Sequence, residues 1–547
     1  MPSSDRPSTA KNAFQPVDAV IVGAGVAGLY AIYRLRALGF SIQAFEAAPD
    51  VGGTWYWNRY PGARCDIDSL EYSYSFSPDL LNEWIWSERY ATQPEILRYI
   101  NHVADRFDLR RDIAFNTRIV ATDYDQVANR WTLQAEDGRH ITAHYVVTTV
   151  GCLSIPKPPE FDGLEDFAGE WRQTSAWREV DLIGKRVGII GTGSSGIQAI
   201  PVIAEQAAHL TVFQRTPNFS LPARNGPIDP EFEAMVRADY VGYRQKANHS
   251  KGGVVSKFPP PQKSALEATE EERTAAYESI WRKGGPALSA AFTDIMIDQA
   301  ANDTAADFVR GKIRRIVKDP AVAARLCPTD HPFATKRICL DSDYFATFNR
   351  PNVTLADIRA APIERITRTG VKTAEQEHPL DVLIFATGFD AVTGALLSMN
   401  IHGLDGYPLQ DAWRDGPRTY LGLMIAGFPN LFTVTGPSSP SVLANMIPCI
   451  EQHVDWIADC LSHMRDHGLD RIDADAGAQD AWAVEVQTVA DGTLYPRAKS
   501  WYLGDNVPGK PRVFLAYVGG LSTYVDRCEA VAKAGYEGFH LSPAAGA

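Results

Sequence analysis

Two stretches of this chain carry the same alternation of apolar runs and polar turns. Residues 18–22 (DAVIV) read as a buried strand, too short for a helix. The turn GAGVAG (23–28) follows, then an apolar-periodic stretch to about Leu38 that predicts a helix stopped by Gly39. A second strand, SIQAF, ends at Glu46. The pattern returns at Lys185, with the run KRVGII, the turn GTGSSG (191–196), the helical stretch IQAIPVIAEQAA and the strand LTVFQR (210–215), ending at Arg215. Each stretch predicts a βαβ unit.

The rest of the pattern hangs on these two units. Residues 51–90 mix aromatics, glycine and charge, as a functional loop region does, and 94–107 predict a helix. Three alternating segments, IAFNTRIVATDYD, RWTLQAE and HITAHYVVTTVG, predict a β-meander returning to the first sheet. IPKPPEFDG (155–163) reads as a Pro-rich hinge. Residues 226–330 turn helical and charged, through EERTAAYESIW, PALSAAFTDIMIDQAAND and AADFVRGKIRRIV. A smaller meander, VTLADI to HPLDVLIFATGFD, leads back to the first unit, and EQHVDWIADCLSHM predicts a late helix. The expected fold is α/β, with two Rossmann-like dinucleotide-binding domains, β-meanders and an inserted helical subdomain. The expected boundaries are 1–150 for the first part of one nucleotide domain and 151–225 for the first part of the other. The helical insertion takes 226–332, the second domain resumes over 333–386, and the first resumes over 387–547.

Composition narrows the function classes. The 547 residues are 45% apolar and 22% charged, ordinary for a globular protein of more than one domain. A net charge of −13 argues against a nucleic-acid or anionic-membrane binder. The seven cysteines are scattered without a C-x-x-C, so a disulfide scaffold or zinc ribbon is not expected. MPSSDRPSTAKNAFQP has no apolar h-region, and no run approaches 18 apolar residues. A soluble, cytoplasmic chain with short loose ends, reduced cysteines and no metal is expected.

The glycines give the two turns a chemical purpose. In such loops the first glycine permits the turn, the second admits a pyrophosphate, and the third lets helix and strand pack closely. Gly23, Gly25 and Gly28 fill those places first, and Gly191, Gly193 and Gly196 fill them again, interleaved with Thr192, Ser194 and Ser195. Glu46 at the end of the first unit suits a ribose 2′-hydroxyl, as in FAD or NAD. Arg215, followed by Thr216, suits the 2′-phosphate of NADPH at the second. One loop then holds a resident flavin and the other its reductant. Without a C-x-x-C the reduced flavin has no thiol acceptor, which leaves oxygen or a quinone.

GGTWYWNRYPGARCD (52–66) resembles the long signature of the type I Baeyer–Villiger monooxygenases. GAGVAGL, GTGSSGIQ, FATGFD (385–390) and SWYLGDNVPGKPR are also similar to that family, over about residues 15–540, and the chain looks most like its phenylacetone monooxygenase branch. The resemblance implies FAD and NADP(H) as cofactors and O₂ and a small hydrophobic ketone as substrates. The product is an ester or lactone, formed through a C4a-peroxyflavin that must stay deprotonated. It also implies roles. Arg337 supplies the fixed cation, Asp66 orients it, Lys336 contacts the 2′-phosphate, and Trp501 caps the nicotinamide cofactor. Thr54, Trp55 and Arg64 of the long signature join the cofactor-binding set, while Ser441, Val442, Leu443 and Met446 of GPSSPSVLANM line the substrate. A unit charge at ~4 Å and an effective dielectric of about 20 contributes roughly 4 kcal/mol, or about three pKa units.

One signature departs from the family. In FAGEWRQTSAWR the positions of Phe167, Gly169 and Trp177 are kept, but Gln173 stands where the pattern has His and Arg178 where it has Pro or Asp. Gln can donate and accept hydrogen bonds, but it carries no proton charge. The stretch is expected in the linker into the second domain, where it would set domain geometry. Two other activities remain open: a heteroatom oxygenase, and an uncoupled NADPH oxidase or flavin redox sensor. Arg337 weighs against the first, and Gln173 keeps the second in play. His331 and His453 lack metal spacing and are expected to be solvated or structural, and the expected state is a monomer.

Overall fold

The computed structural model describes residues 14–543; the rest of the polar N-terminal segment and residues 544–547 lie outside the described residues. In the first sheet, Val17–Val22 runs between Ile42–Phe45 and His140–Thr148, parallel to both. Ala19, Val20 and Ile21 are fully buried, so this strand needs a continuous apolar run rather than an alternation. The expected meander is present as Ile119–Asp125, Arg130–Ala135 and His140–Thr148. On the edge away from Val17–Val22, the last of these serves two further partners. Its first half pairs antiparallel with Arg130–Ala135, and its second half pairs parallel with Leu431–Thr433. That pairing brings the late part of the chain back onto the first sheet.

The second sheet has five strands, all parallel, in the order Val353–Asp357, His209–Gln214, Arg186–Ile190, Val382–Phe385, Glu170–Gln173. Both edges correct the sequence reading. VTLADI does not open a meander: Val353–Asp357 lies in parallel register with His209–Gln214, and the antiparallel strands are Ile363–Thr367, Gly370–Thr373 and Glu377–Pro379. A parallel partner needs a crossover, and here the crossover is the whole insert, too long for a local pattern to reveal. Glu170–Gln173 is likewise an edge strand rather than a linker, and its exposed face carries no apolar run to announce it.

The insert contains the helices Pro230–Ala238, Tyr240–Asn248, Glu270–Lys283, Gln299–Ile316 and Pro320–Leu326. Glu270–Lys283 starts at a reciprocal capping box between Thr269 and Glu272. The helix expected across PALSAAFTDIMIDQAAND is replaced by a short 3-10 turn, Ala287–Ala290, and the next helix begins only at Gln299. Two aspartates explain the break. Asp294 accepts the Ala265 N–H at 2.7 Å, and Asp298 caps the following helix by accepting from Ala301. The insert packs on two cores. Val236, Tyr240 and Tyr243 join the core under the first sheet, whereas Tyr277, Ile280, Trp281, Val309 and Ile313 join the core under the second.

The late helix, Met446–Asp466, is longer than its sequence pattern suggests and is fixed to Val26–Ala37 by a Tyr30 hydroxyl bond to Asp455 (2.8 Å). Among the described residues no helix is long and apolar enough to cross a membrane, and no His, Cys, Asp or Glu cluster suits a metal. All seven cysteines are unpaired and buried. His331 and His453 are buried rather than solvated. His453 accepts the Thr435 N–H and contacts the Tyr524 hydroxyl.

Candidate active site

Both glycine turns are built to bring backbone against backbone. A Cβ on Gly28 would stand 1.9 Å from the Gly23 carbonyl oxygen, and one on Gly196 would stand 2.2 Å from that of Gly191. Gly23 and Gly191 adopt φ of 109° and 113°, which L side chains avoid. The helices that follow, Val26–Ala37 and Ser194–Gln206, have no side-chain cap at their N-termini. Their first N–H groups are therefore free for an anion. At the second turn a Cβ on Gly193 would meet nothing within 4 Å, so room exists where a pyrophosphate must lie. These cradles fit two dinucleotides.

The two strand ends differ. Glu46 is buried at the end of the first unit, where its carboxylate accepts the Ala24 N–H (2.7 Å) and the Ala48 N–H (2.8 Å). Burial pushes its carboxyl above the usual range. Arg215 at the end of the second unit is exposed, and the Thr216 carbonyl accepts from the Thr192 hydroxyl at 2.9 Å. Lys336 belongs to the same cationic group. Burial holds its ammonium below the usual range, Arg215 and Arg359 push it the same way, and Asp330 opposes them.

The long signature is the seat on which the two cradles meet. Gly62, at φ 83°, has no room for a Cβ because the Gln198 carbonyl oxygen would lie 2.4 Å from it. The Gln198 side chain accepts from the Tyr60 hydroxyl (2.9 Å) and donates to the Arg64 carbonyl (3.1 Å). The aromatic-Pro-Gly step thus lets the second cradle's helix approach the first unit. Trp55 is buried and donates to the Tyr72 hydroxyl at 3.0 Å, Thr54 is exposed, and Arg64 lies 3.6 Å from Glu88.

Asp66 and Arg337 come together across this seat. Arg337 donates from Nε and Nη2 to the two Asp66 oxygens, each at 2.7 Å, and from Nη1 to the Val442 carbonyl at 2.6 Å. Burial alone would raise the Asp66 carboxyl, but the facing guanidinium outweighs it and holds the group below the usual carboxylate range. The Asp66 charge in turn holds Arg337 firmly cationic. The neighbouring Cys65 thiol is pushed up by burial, so it is no thiolate. The Val442 contact fixes Arg337 against the apolar wall. Val442 is buried with Leu503, Phe514 and Leu515, and Leu443, Met446 and Trp501 pack on the same cluster. Ser441 takes φ 41° and contacts the Cys152 thiol at 3.0 Å. Of the residues expected to line the substrate, Val442 touches the Arg337 clamp directly.

The chain is similar to known proteins over nearly its whole length. The family described as pyridine nucleotide-disulphide oxidoreductase matches residues 20–241. A Baeyer-Villiger monooxygenase of Pseudooceanicola batsensis is 43% identical, with 95% of each chain covered. The acetone monooxygenase (methyl acetate-forming) of a Gordonia species is 41% identical over 96% of this chain and 99% of its own. A solved structure, an oxidized steroid monooxygenase bound to NADP, is 50% identical, with a TM-score of 0.92 over 96% of this chain and 99% of that one. The chain belongs to the Baeyer–Villiger monooxygenase family.

In this family member the altered short signature has definite contacts. Phe167 and Trp177 are buried, and a Cβ on Gly169 would meet the Asp381 carbonyl oxygen at 2.4 Å. Gln173 donates from Nε2 to the Lys157 carbonyl at 2.6 Å. The Lys157 ammonium bonds the Asn506 carbonyl, and Asn506 donates to the Phe389 carbonyl at 2.6 Å. Position 173 therefore connects through the hinge to the segment that carries Trp501. Arg178 is exposed, and its carbonyl accepts from Arg172 at 3.1 Å.

Sequence reasoning missed three residues that contact the expected site residues. Gln198 ends the quoted stretch GTGSSGIQ but was given no role, although its place one turn into the second helix was a usable signal. Arg359 follows the edge strand beside Arg215 and donates to the Arg215 carbonyl (3.1 Å) and to Asp330 (2.6 Å). Reading VTLADI as a meander hid it. Gly53 faces Gly25, with its Cβ position 2.9 Å from the Gly25 Cα.

Proposed function

We propose that this chain is an FAD- and NADPH-dependent monooxygenase that inserts one atom of O₂ beside the carbonyl of a small hydrophobic ketone, giving an ester or lactone. The observation that carries the reading is the Arg337 clamp, held by two Asp66 bonds and anchored to the carbonyl of an apolar wall. The first cradle, with Gly23, Gly25, Gly28 and Glu46, would hold FAD, with Thr54, Trp55 and Arg64 beside it. The second, with Gly191 to Gly196, Arg215, Thr216 and Lys336, would hold NADPH, and Trp501 would cap it. Bound flavin, once reduced by NADPH, supplies the redox chemistry that activates O₂.

The protein's own part is electrostatic and steric. Asp66 fixes the guanidinium plane and keeps it charged. A guanidinium has five N–H donors, and three of those of Arg337 are engaged. The other two face the Tyr502 side and would stabilise negative charge that develops on oxygen during transfer, a task suited to a preorganised cation. The same fixed cation disfavours a protonated, electrophilic oxidant, and so disfavours heteroatom oxidation as the main activity. Val442, Leu443 and Met446 exclude water and favour an apolar ketone. Unpaired cysteines fit a cytoplasmic enzyme, and we read the chain as a monomer. Residues 1–150 and 387–547 then form the flavin part, 151–225 and 333–386 the NADPH part, and 226–332 the insert.

The test is oxygenation coupling. Purified protein with its flavin spectrum is given NADPH, air and a ketone panel including phenylacetone and cyclohexanone. Ester or lactone and hydrogen peroxide are measured per NADPH oxidised. Near-stoichiometric ester is expected. Peroxide alone that turns to ester in Gln173→His would mean that the altered linker breaks coupling, and NADPH oxidation that rises with no ketone would mean an uncoupled oxidase instead.

A further inference from the structure

A buried polar junction lies beneath the substrate wall, and neither the cofactor cradles nor the Arg337 clamp uses it. Glu71 is its centre. It is buried, just beyond the long signature, and three separate segments bond to it. Its backbone carbonyl accepts from Asn445 Nδ2 at 2.9 Å and from the Arg244 guanidinium. Its carboxylate accepts the Val255 N–H at 2.5 Å and the Tyr243 hydroxyl at 3.1 Å. Asn445 ends the wall segment 441–446 and caps Met446–Asp466 by accepting from Ile447 at 3.2 Å. The same Asn445 donates to the Gly253 carbonyl (3.2 Å), and its N–H donates to the Gly252 carbonyl (2.9 Å). Gly253 must be glycine, because a Cβ there would lie 3.0 Å from Pro448 Cγ at φ 67°. The wall is therefore braced from behind by the insert's 243–255 arm, and that arm is tied down by Glu71.

We propose that Glu71 is a positioning residue for the substrate wall: its ionised carboxylate ties the 243–255 arm beneath residues 441–446, and loss of that charge loosens the wall. This rests on the ketone-pocket reading above. The charges around Glu71 make the tie sensitive to proton uptake. On its own segment stands Asp68, a like charge paired with Lys257 and 3.4 Å from Arg89. From the insert come Tyr243 and the buried Arg244, whose Nε and Nη2 have no partner. From the late helix comes Glu451, which takes the Ser75 N–H and hydroxyl at 2.5 Å each and also faces Arg244. Burial pushes the Glu71 carboxyl up to about 7, with Asp68 raising it further and Val255, Arg244 and Tyr243 opposing. Arg244 is one cation facing two buried carboxylates, and it bonds the Glu71 backbone carbonyl rather than either of them.

The experiment compares the flavin-loaded wild type with Glu71→Gln, which keeps an acceptor oxygen but cannot ionise. Amide hydrogen exchange of peptides covering 252–256 and 441–451 is measured at pH 6 and pH 8 and corrected for intrinsic rates. Roughly tenfold faster exchange at pH 6 is expected in the wild type, the scale of one charge-assisted bond, and no pH step is expected in Glu71→Gln. The ketone KM should follow the same pattern, higher at pH 6 in the wild type and flat in the variant, while NADPH oxidation without ketone stays the same in both. A wild type without the exchange step, or a variant that keeps it, overturns the tie. An exchange step with no matching change in ketone KM overturns the wall-positioning role. An exchange step in a protein that makes no ester would support the tie and refute the ketone reading instead.

Discussion

The two glycine cradles share a backbone design and differ in what surrounds them. The first is closed in: Gly25 faces Gly53, and the buried Glu46 binds the turn itself through the Ala24 N–H. The second is open: no protein atom lies within 4 Å of a Cβ on Gly193, and Arg215 is exposed. A cradle that is packed before its ligand arrives suits a nucleotide that enters once and stays. A cradle with free room suits one that is exchanged every turnover. On the cofactor assignment we propose, the same six-residue pattern would serve retention or exchange according to its neighbours.

Substitutions can break this contrast or sharpen it. The largest effect is expected from Gly28→Ala. Its Cβ would sit 1.9 Å from backbone, so the protein should emerge without flavin or not fold, read from its visible spectrum. Arg337→Ala comes next. It should keep the yellow flavin and its reduction by NADPH and lose ester formation by at least about a hundredfold. Full ester yield would remove Arg337 from its assigned role. Gly193→Ala should fold with flavin bound and raise the NADPH KM roughly tenfold, about 1.4 kcal/mol, since its methyl meets only the cofactor. Equal damage from Gly193→Ala and from Gly25→Ala, its counterpart, whose Cβ would lie 3.4 Å from the Gly53 Cα, would erase the contrast. Arg215→Ala should narrow the NADPH-over-NADH preference by about 1–3 kcal/mol, and an unchanged ratio would hand that task to Lys336 or Arg359. Gln173→His should be the mildest, improving coupling or leaving it unchanged, because the Lys157 carbonyl can still take a ring N–H.

Much of this was legible because it is local. Apolar runs flanking a glycine turn specify a βαβ unit within about thirty residues, and Glu46 and Arg215 sit at fixed offsets from those turns. Of the partners of Arg337, Asp66 was legible only through resemblance, and the Val442 carbonyl was not foreseen as one, since both lie far from it in sequence. What stayed hidden was non-local and polar. No periodicity points from Val353–Asp357 to His209–Gln214 across the insert, and no propensity tells a half-exposed edge strand such as Glu170–Gln173 from a linker. Glu71 was invisible for a related reason: a buried carboxylate looks like any surface glutamate until three segments close over it.

The insert also has a consequence for how the molecule comes apart. Tyr240 and Tyr243 are anchored in one core, and Trp281 and Ile313 in the other, on a single stretch of chain. Melting either half strips packing from helices that the other half needs. Although the chain looks like two nucleotide-binding modules joined by hinges, heat should dissolve it in one calorimetric transition. The insert acts as a mechanical strap that makes two lobes share one fate.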